Sequence, residues 1–180
     1  GKNLNQLYTL STGEIQVGIL KKLSGTTLDR HDKVYGMVYN DSPPYDILQN
    51  DLISFSKMQE MKRFARFWDI IYNSGNFKKS CELLFEDGKV FENFYDLSKW
   101  LYKRSESTYK ISLDRMAEFL FEYMSVKHDE ELVANMILQD VMGVGGRKIP
   151  PFLKKIIPLN YDFAQKDVSK ANKRQQLRSD

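Results

Sequence analysis

The chain has 180 residues and a mass of 21.1 kDa, the size of about one domain. Hydrophobic residues make up 42% and aromatics 13%, with a net charge of +3, which supplies one sizeable core and excludes a disordered chain. Ten glycines and five prolines follow no period, which excludes a collagen-like sequence, and no apolar run approaches the ~18 residues of a membrane span. A single cysteine, Cys81, excludes an internal disulfide framework and a cysteine-cluster metal site, and it favours a reducing cytoplasm. The chain opens on Gly1 rather than Met and has no signal-peptide shape, so it reads as an excised piece of a longer protein.

In the first fifty residues, Ile15, Val17 and Ile19 alternate with Gln16, Gly18 and Leu20, the period of a β-strand. Lys21 to Thr26 reads as its exit loop. Residues 34–39 are also β-prone, and Asp41-Ser42-Pro43-Pro44 breaks regular structure. A two-stranded ribbon is marginal by itself. The strand over residues 15–20 is therefore expected to fold back on residues 34–39 or to pair with a second copy of the chain.

From Ser54 the period becomes helical. Met58, Met61, Ala65, Trp68 and Tyr72 form one stripe, widened by Phe64, Phe67 and Ile71, which predicts a central helix with Trp68 buried. Gly75 suits a left-handed helix end, and Asn76 reads as the next N-cap. A short helix then turns Phe77, Cys81 and Leu84 inward and stops at Asp87-Gly88. The third helix runs from about Val90 to Arg104. Ser112 caps the fourth, with Ile111 and Met116 as a hydrophobic staple. Asp129, Glu130 and Glu131 open the fifth, which buries Val133, Met136, Ile137 and Val141. Gly143 to Gly146 end it, and Pro150-Pro151 begin a last short element. The expected fold is mainly α: a bundle-like domain of about five helices with a short N-terminal β segment. Residues 1–50 are assigned to strand, loop and linker, 51–160 to the helical domain and 161–180 to a disordered basic tail.

The sequence contains no complete active site. Gly143-Val144-Gly145-Gly146-Arg147-Lys148 follows a helix and precedes Ile149-Pro150, the reverse of a phosphate loop. Asp29, His31 and Asp32 lack the further ligands a metal needs and read as a polar loop. Cys81 reads as an inert packed thiol and His128 as a helix-terminal charge partner. No catalytic, cofactor or metal residue is assigned. Residues 165–180 hold five basic and two acidic side chains, the whole net charge, and leave the body with 22 of each sign. That tail, together with the Arg63/Arg66 face, supports an alternative reading as a small helical module that binds nucleic acid. The neutral body argues against it.

Several strings carry a family resemblance. Residues 14–26, Glu-Ile-Gln-Val-Gly-Ile-Leu-Lys-Lys-Leu-Ser-Gly-Thr, resemble the late barrel strand and exit loop of cobalamin-binding radical SAM proteins. Tyr35-Gly36-Met37-Val38-Tyr39 and Pro43-Pro44-Tyr45-Asp46-Ile47-Leu48 resemble the segment that follows it. Residues 62–69 and 72–77, then 94–101, then Asp140 and Pro150-Pro151-Phe152-Leu153 resemble the helical C-terminal extension of those proteins, a domain of unknown function. The group is likened to the anaerobic magnesium-protoporphyrin monomethyl ester cyclase. The resemblance implies a parent enzyme with a [4Fe–4S] cluster on a CxxxCxxC motif, S-adenosylmethionine and cobalamin. It implies that this chain's partners are the barrel and the B12 domain of the same parent. With Cys81 alone, this chain departs from the cluster motif, and no cluster residue carries over. The resemblance thus implies a non-catalytic accessory domain that covers the barrel or shapes a substrate or partner surface.

Overall fold

The computed structural model describes residues 1–10, 13–23, 25 and 29–157. The chain opens on α1 (Lys2–Leu10), a helix that replaces expected loop. Leu4 and Tyr8 lie one turn apart and rest on the core. Asn5 fastens the helix by accepting the Phe91 N–H at 2.8 Å and donating to Glu92 at 3.2 Å. A helical turn, α2 (Asp29–Asp32), stands where the sequence reads as a polar loop.

Strands β1 (Val38–Tyr39) and β2 (Ile47–Gln49) make an antiparallel hairpin, with Val38 opposite Gln49 and Tyr39 opposite Ile47 across a bulge. Gly36 precedes it at φ +57°, and a Cβ there would collide with the Asp51 carboxylate, so the turn requires glycine. Residues 15–20 form no strand, which corrects the expected ladder with residues 34–39. The pairing partner differs too. Lys21 bridges to Asp46 beside β2, and residues 34–39 take no part. The physical reason is that residues 33–36 are spent on a turn, leaving Val38 and Tyr39 to pair with β2.

The helical body follows the sequence closely. Helix α3 (Phe55–Trp68) starts at Ser54, whose side chain caps the Lys57 N–H. It continues as a π-helical segment, Asp69–Asn73, marked by the Ser74 N–H to Asp69 carbonyl bond at 3.0 Å. Gly75 closes this helix at φ +69°. Helices α4 (Lys78–Leu84), α5 (Val90–Ser105), α6 (Leu113–Met124), α7 (Glu130–Gly143) and α8 (Pro151–Ile156) complete the described fold. Ser112 and Asp129 cap α6 and α7 as expected. Asn76 does not cap α4: Phe77 holds that position, and its side chain cannot accept a hydrogen bond. Met61, Tyr72 and Met136 are half-buried, at the margin of the stripes rather than inside them.

Helix α3 packs on α5, α4 on α7, and α6 on α7, so the domain is mainly α with a small β hairpin. Trp68 is fully buried between Phe64, Tyr72 and Phe94. Residues 158–180, including the basic tail, lie outside the described residues, as do Ser24 and Thr26 of the expected exit loop. Replacing Trp68 by Ala removes the largest buried side chain, and the loss is expected to be about 3–5 kcal/mol. Urea denaturation measures it, and a loss below about 1 kcal/mol would contradict this packing.

Candidate functional site

Apolar exposure is uneven over the surface. Among the described residues, ten of the thirteen large exposed hydrophobic side chains lie within the first 55 residues. The same region holds an open groove of about 540 Å³ between α1, residues 15–20, the hairpin and α3. Leu4, Leu7, Val17, Ile19, Met37 and Met61 are among its walls, and no charged side chain lines it. Contiguous apolar surface of this kind marks a contact face.

Trp68, Asn73 and Lys62 hold that face to the helical body through polar contacts. The Trp68 indole N–H donates to the Ile15 carbonyl at 2.8 Å. Asn73 grips the same residue twice: its side-chain oxygen accepts the Ile15 N–H at 3.1 Å, and its amide donates to the Ile15 carbonyl at 3.1 Å. Lys62 on α3 pairs with Asp46 beside β2. The Lys62 hydrogen bond holds the Asp46 carboxyl below its ordinary value. The hairpin and Ile15 are therefore anchored separately to one helix.

The residues considered in the sequence do not converge. Asp32 is paired with Lys22 at 2.5 Å, and the His31 Nε2 accepts from Arg30 at 3.1 Å. Among the described residues no group of three His, Cys, Asp or Glu could hold a metal ion. The glycine loop leads from α7 into α8, and Arg147 folds back over the Phe77 ring with Asp114 at 3.7 Å. His128 faces Glu86 at 3.7 Å. Arg63 lies 3.7 Å over the Tyr102 ring of α5 and Arg66 lies 5.4 Å from Tyr109 in the loop after it, so both cations rest on aromatic rings of the body.

The residue the sequence reading missed is Asp140. It is buried on α7, and its carboxylate accepts the Lys79 N–H at 2.6 Å, the Ser80 N–H at 2.9 Å and the Ser80 hydroxyl at 2.7 Å. It is the cap that α4 lacks in its own sequence. A signal existed: Asp140 interrupts the apolar stripe of Val133, Ile137 and Val141. Cys81 is buried beside it, and burial raises its thiol well above the ordinary value.

The chain matches a family model described as "Protein of unknown function (DUF4080)" over residues 33–179, and it belongs to that family. No curated protein and no solved structure matches it. No helix among the described residues is long and apolar enough to cross a membrane.

Two predictions follow from the α4–α7 contact. Burial raises the Asp140 carboxyl above its ordinary value, against the pull of its hydrogen bonds. A raised folded value makes the native state bind the extra proton. The stability this contributes is full below the unfolded pKa and is lost as pH rises through the folded one. Urea denaturation as a function of pH should show that decline in the native chain and its loss in Asp140→Asn; parallel profiles would refute it. Cys81 should react with a thiol reagent at the rate of unfolding, and fast native labelling would show the site to be open.

Proposed function

We propose that the chain is the non-catalytic C-terminal accessory domain of a cobalamin-dependent radical SAM enzyme. The ordered strings from residue 14 to residue 153 support this reading. One observation carries it further: exposed apolar surface gathers in the segment that resembles barrel strand and linker, while the helical body presents a charged exterior. A chain that works alone gains nothing from such a face, whereas a domain seated on a neighbour needs one.

The [4Fe–4S] cluster, S-adenosylmethionine and cobalamin belong, on this reading, to the parent enzyme. The residues of this chain do not fit a cluster. Its one thiol is buried, and a cluster takes several thiolates. The helical body instead covers the barrel or shapes a surface for substrate or partner. Radical intermediates require water and oxygen to be kept out, and an appended bundle provides that shield.

The test is anaerobic reconstitution with iron, sulfide and S-adenosylmethionine. This 180-residue chain should take up no stoichiometric cluster. The longer protein that carries it should assemble one and cleave S-adenosylmethionine. Truncation of the helical body should then raise oxygen sensitivity and uncoupled cleavage several-fold. Cluster assembly on the 180-residue chain, or none on the longer protein, would overturn the reading.

A further inference from the structure

A second cleft, of about 530 Å³, opens between the π-helical segment and α4, beside Gly13 and Glu14. That volume suits a small molecule. Tyr8 of α1 and Tyr72 of the π-helical segment line it, with ring centres 5.9 Å apart and planes inclined at 55°. The buried Cys81 adds an apolar wall. A π-helix is a rare element, frequently retained at functional sites, and this one contributes Tyr72 to the wall. Burial raises both phenols above their ordinary value, so their hydroxyls stay neutral. That of Tyr72 donates to the Gly13 carbonyl at 3.4 Å.

The charged side chains of the cleft divide into one that is engaged and two that are not. Glu82 is paired with Lys79 at 2.6 Å. The Glu14 and Lys78 side chains have neither an ion-pair nor a hydrogen-bond partner among the described residues. Asn73, the other polar side chain of the wall, is committed to Ile15 and Asp69. Glu14 is nevertheless held at the cleft, because Asn73 and Trp68 fix both main-chain groups of the adjoining Ile15. The cleft thus presents one unpaired carboxylate, one unpaired ammonium and two aromatic rings. A complementary ligand carries a cation, an anion and a planar apolar body. An α-amino acid with an aromatic side chain has all three, with both charges on one carbon and the ring beyond them.

We infer that the Tyr8–Tyr72 cleft binds a free aromatic α-amino acid, with Glu14 receiving its ammonium, Lys78 its carboxylate and the two tyrosines its ring. The cleft shares no lining residue with the apolar groove, and the inference does not rest on the accessory-domain reading. Glu14 and Lys78 are both exposed, so each charge contributes modestly, and selectivity comes from requiring the two together.

Titration of the 180-residue chain, followed by amide NMR, tests this with L-phenylalanine, L-tyrosine and L-tryptophan as probes. At least one should bind saturably, with shifts centred on Tyr72, Gly75 and Cys81. The analogue of that amino acid without its carboxylate and the analogue without its ammonium should each bind about threefold to fivefold more weakly. For L-phenylalanine these are phenethylamine and 3-phenylpropionate. L-Leucine keeps both charges without the ring and should also bind several-fold more weakly. The charge variants should then cross over. Lys78→Gln should weaken the amino acid and the carboxylate analogue and spare the amine. Glu14→Gln should weaken the amino acid and the amine and spare the carboxylate analogue. Both replaced side chains are exposed, and unchanged circular dichroism would show both variants to be folded. No saturable binding of any of the three amino acids would overturn the inference. So would shifts centred on the apolar groove, or affinities indifferent to both variants. An amine that binds better than its amino acid would make the ligand a simple cation and overturn it as well.

Discussion

A buried indole cannot be left without a hydrogen-bond acceptor, and much of this structure follows from how Trp68 finds one. The ring is fully enclosed by aromatic neighbours, so water cannot serve. Its N–H reaches the Ile15 carbonyl, 53 residues away in sequence. An unsatisfied donor there would cost about 1–3 kcal/mol. The N-terminal segment is therefore held in place by a polar demand of the core as well as by its own apolar side chains. The π-helical segment completes the grip. In an α-helix, residue 73 would sit about 140° round the axis from residue 68. The wider i→i+5 turn brings Asn73 back toward the face of Trp68, and both then act on Ile15.

The same logic joins the other half of the body. Helix α4 begins with Lys78, Lys79 and Ser80, two of which carry positive charge toward the positive end of the helix dipole. Such a start is poor by itself. Asp140 corrects it from α7, supplying the negative charge and the acceptors that the local sequence withholds. The start of α4 thereby depends on α7 being folded, and α4 also packs against the helix end that holds Ile15. Trp68 and Asp140 together tie Ile15 to the fifth predicted helix through short polar links.

What the sequence made legible was whatever repeats locally. The stripes of α3, α5 and α6 bury most of the residues their spacing selects, with Met61 and Tyr72 left at the margin, and Ser112 and Asp129 cap where their position announces it. Long-range demands were hidden. Asn76 reads as a cap until the structure shows that Asp140 occupies that role from 60 residues downstream. The alternation of Ile15, Val17 and Ile19 signals which side chains turn to the body, but it reads as a strand that the structure does not form, because alternation says nothing about a ladder partner. Helix α1 was missed because asparagine and threonine weaken its propensity, although Leu4 and Tyr8 mark its inner face. The candidate face was no more legible, since an exposed leucine and a buried one look alike in sequence.

The asymmetry of the surface constrains what the chain can be. Its helical body closes its own core, with the largest aromatic and aliphatic side chains fully enclosed. Its N-terminal region does the opposite: specific hydrogen bonds hold Ile15 on the body beside a groove with no charged side chain. Those contacts fix Ile15 without covering the groove, so they set position rather than complete a core. The two halves thus differ in kind: one encloses its apolar side chains, and the other keeps apolar side chains at the surface around a groove. Ile15 is fixed to within hydrogen-bond tolerance by Trp68 and Asn73, so the end of α3 sets where the N-terminal segment lies on the body.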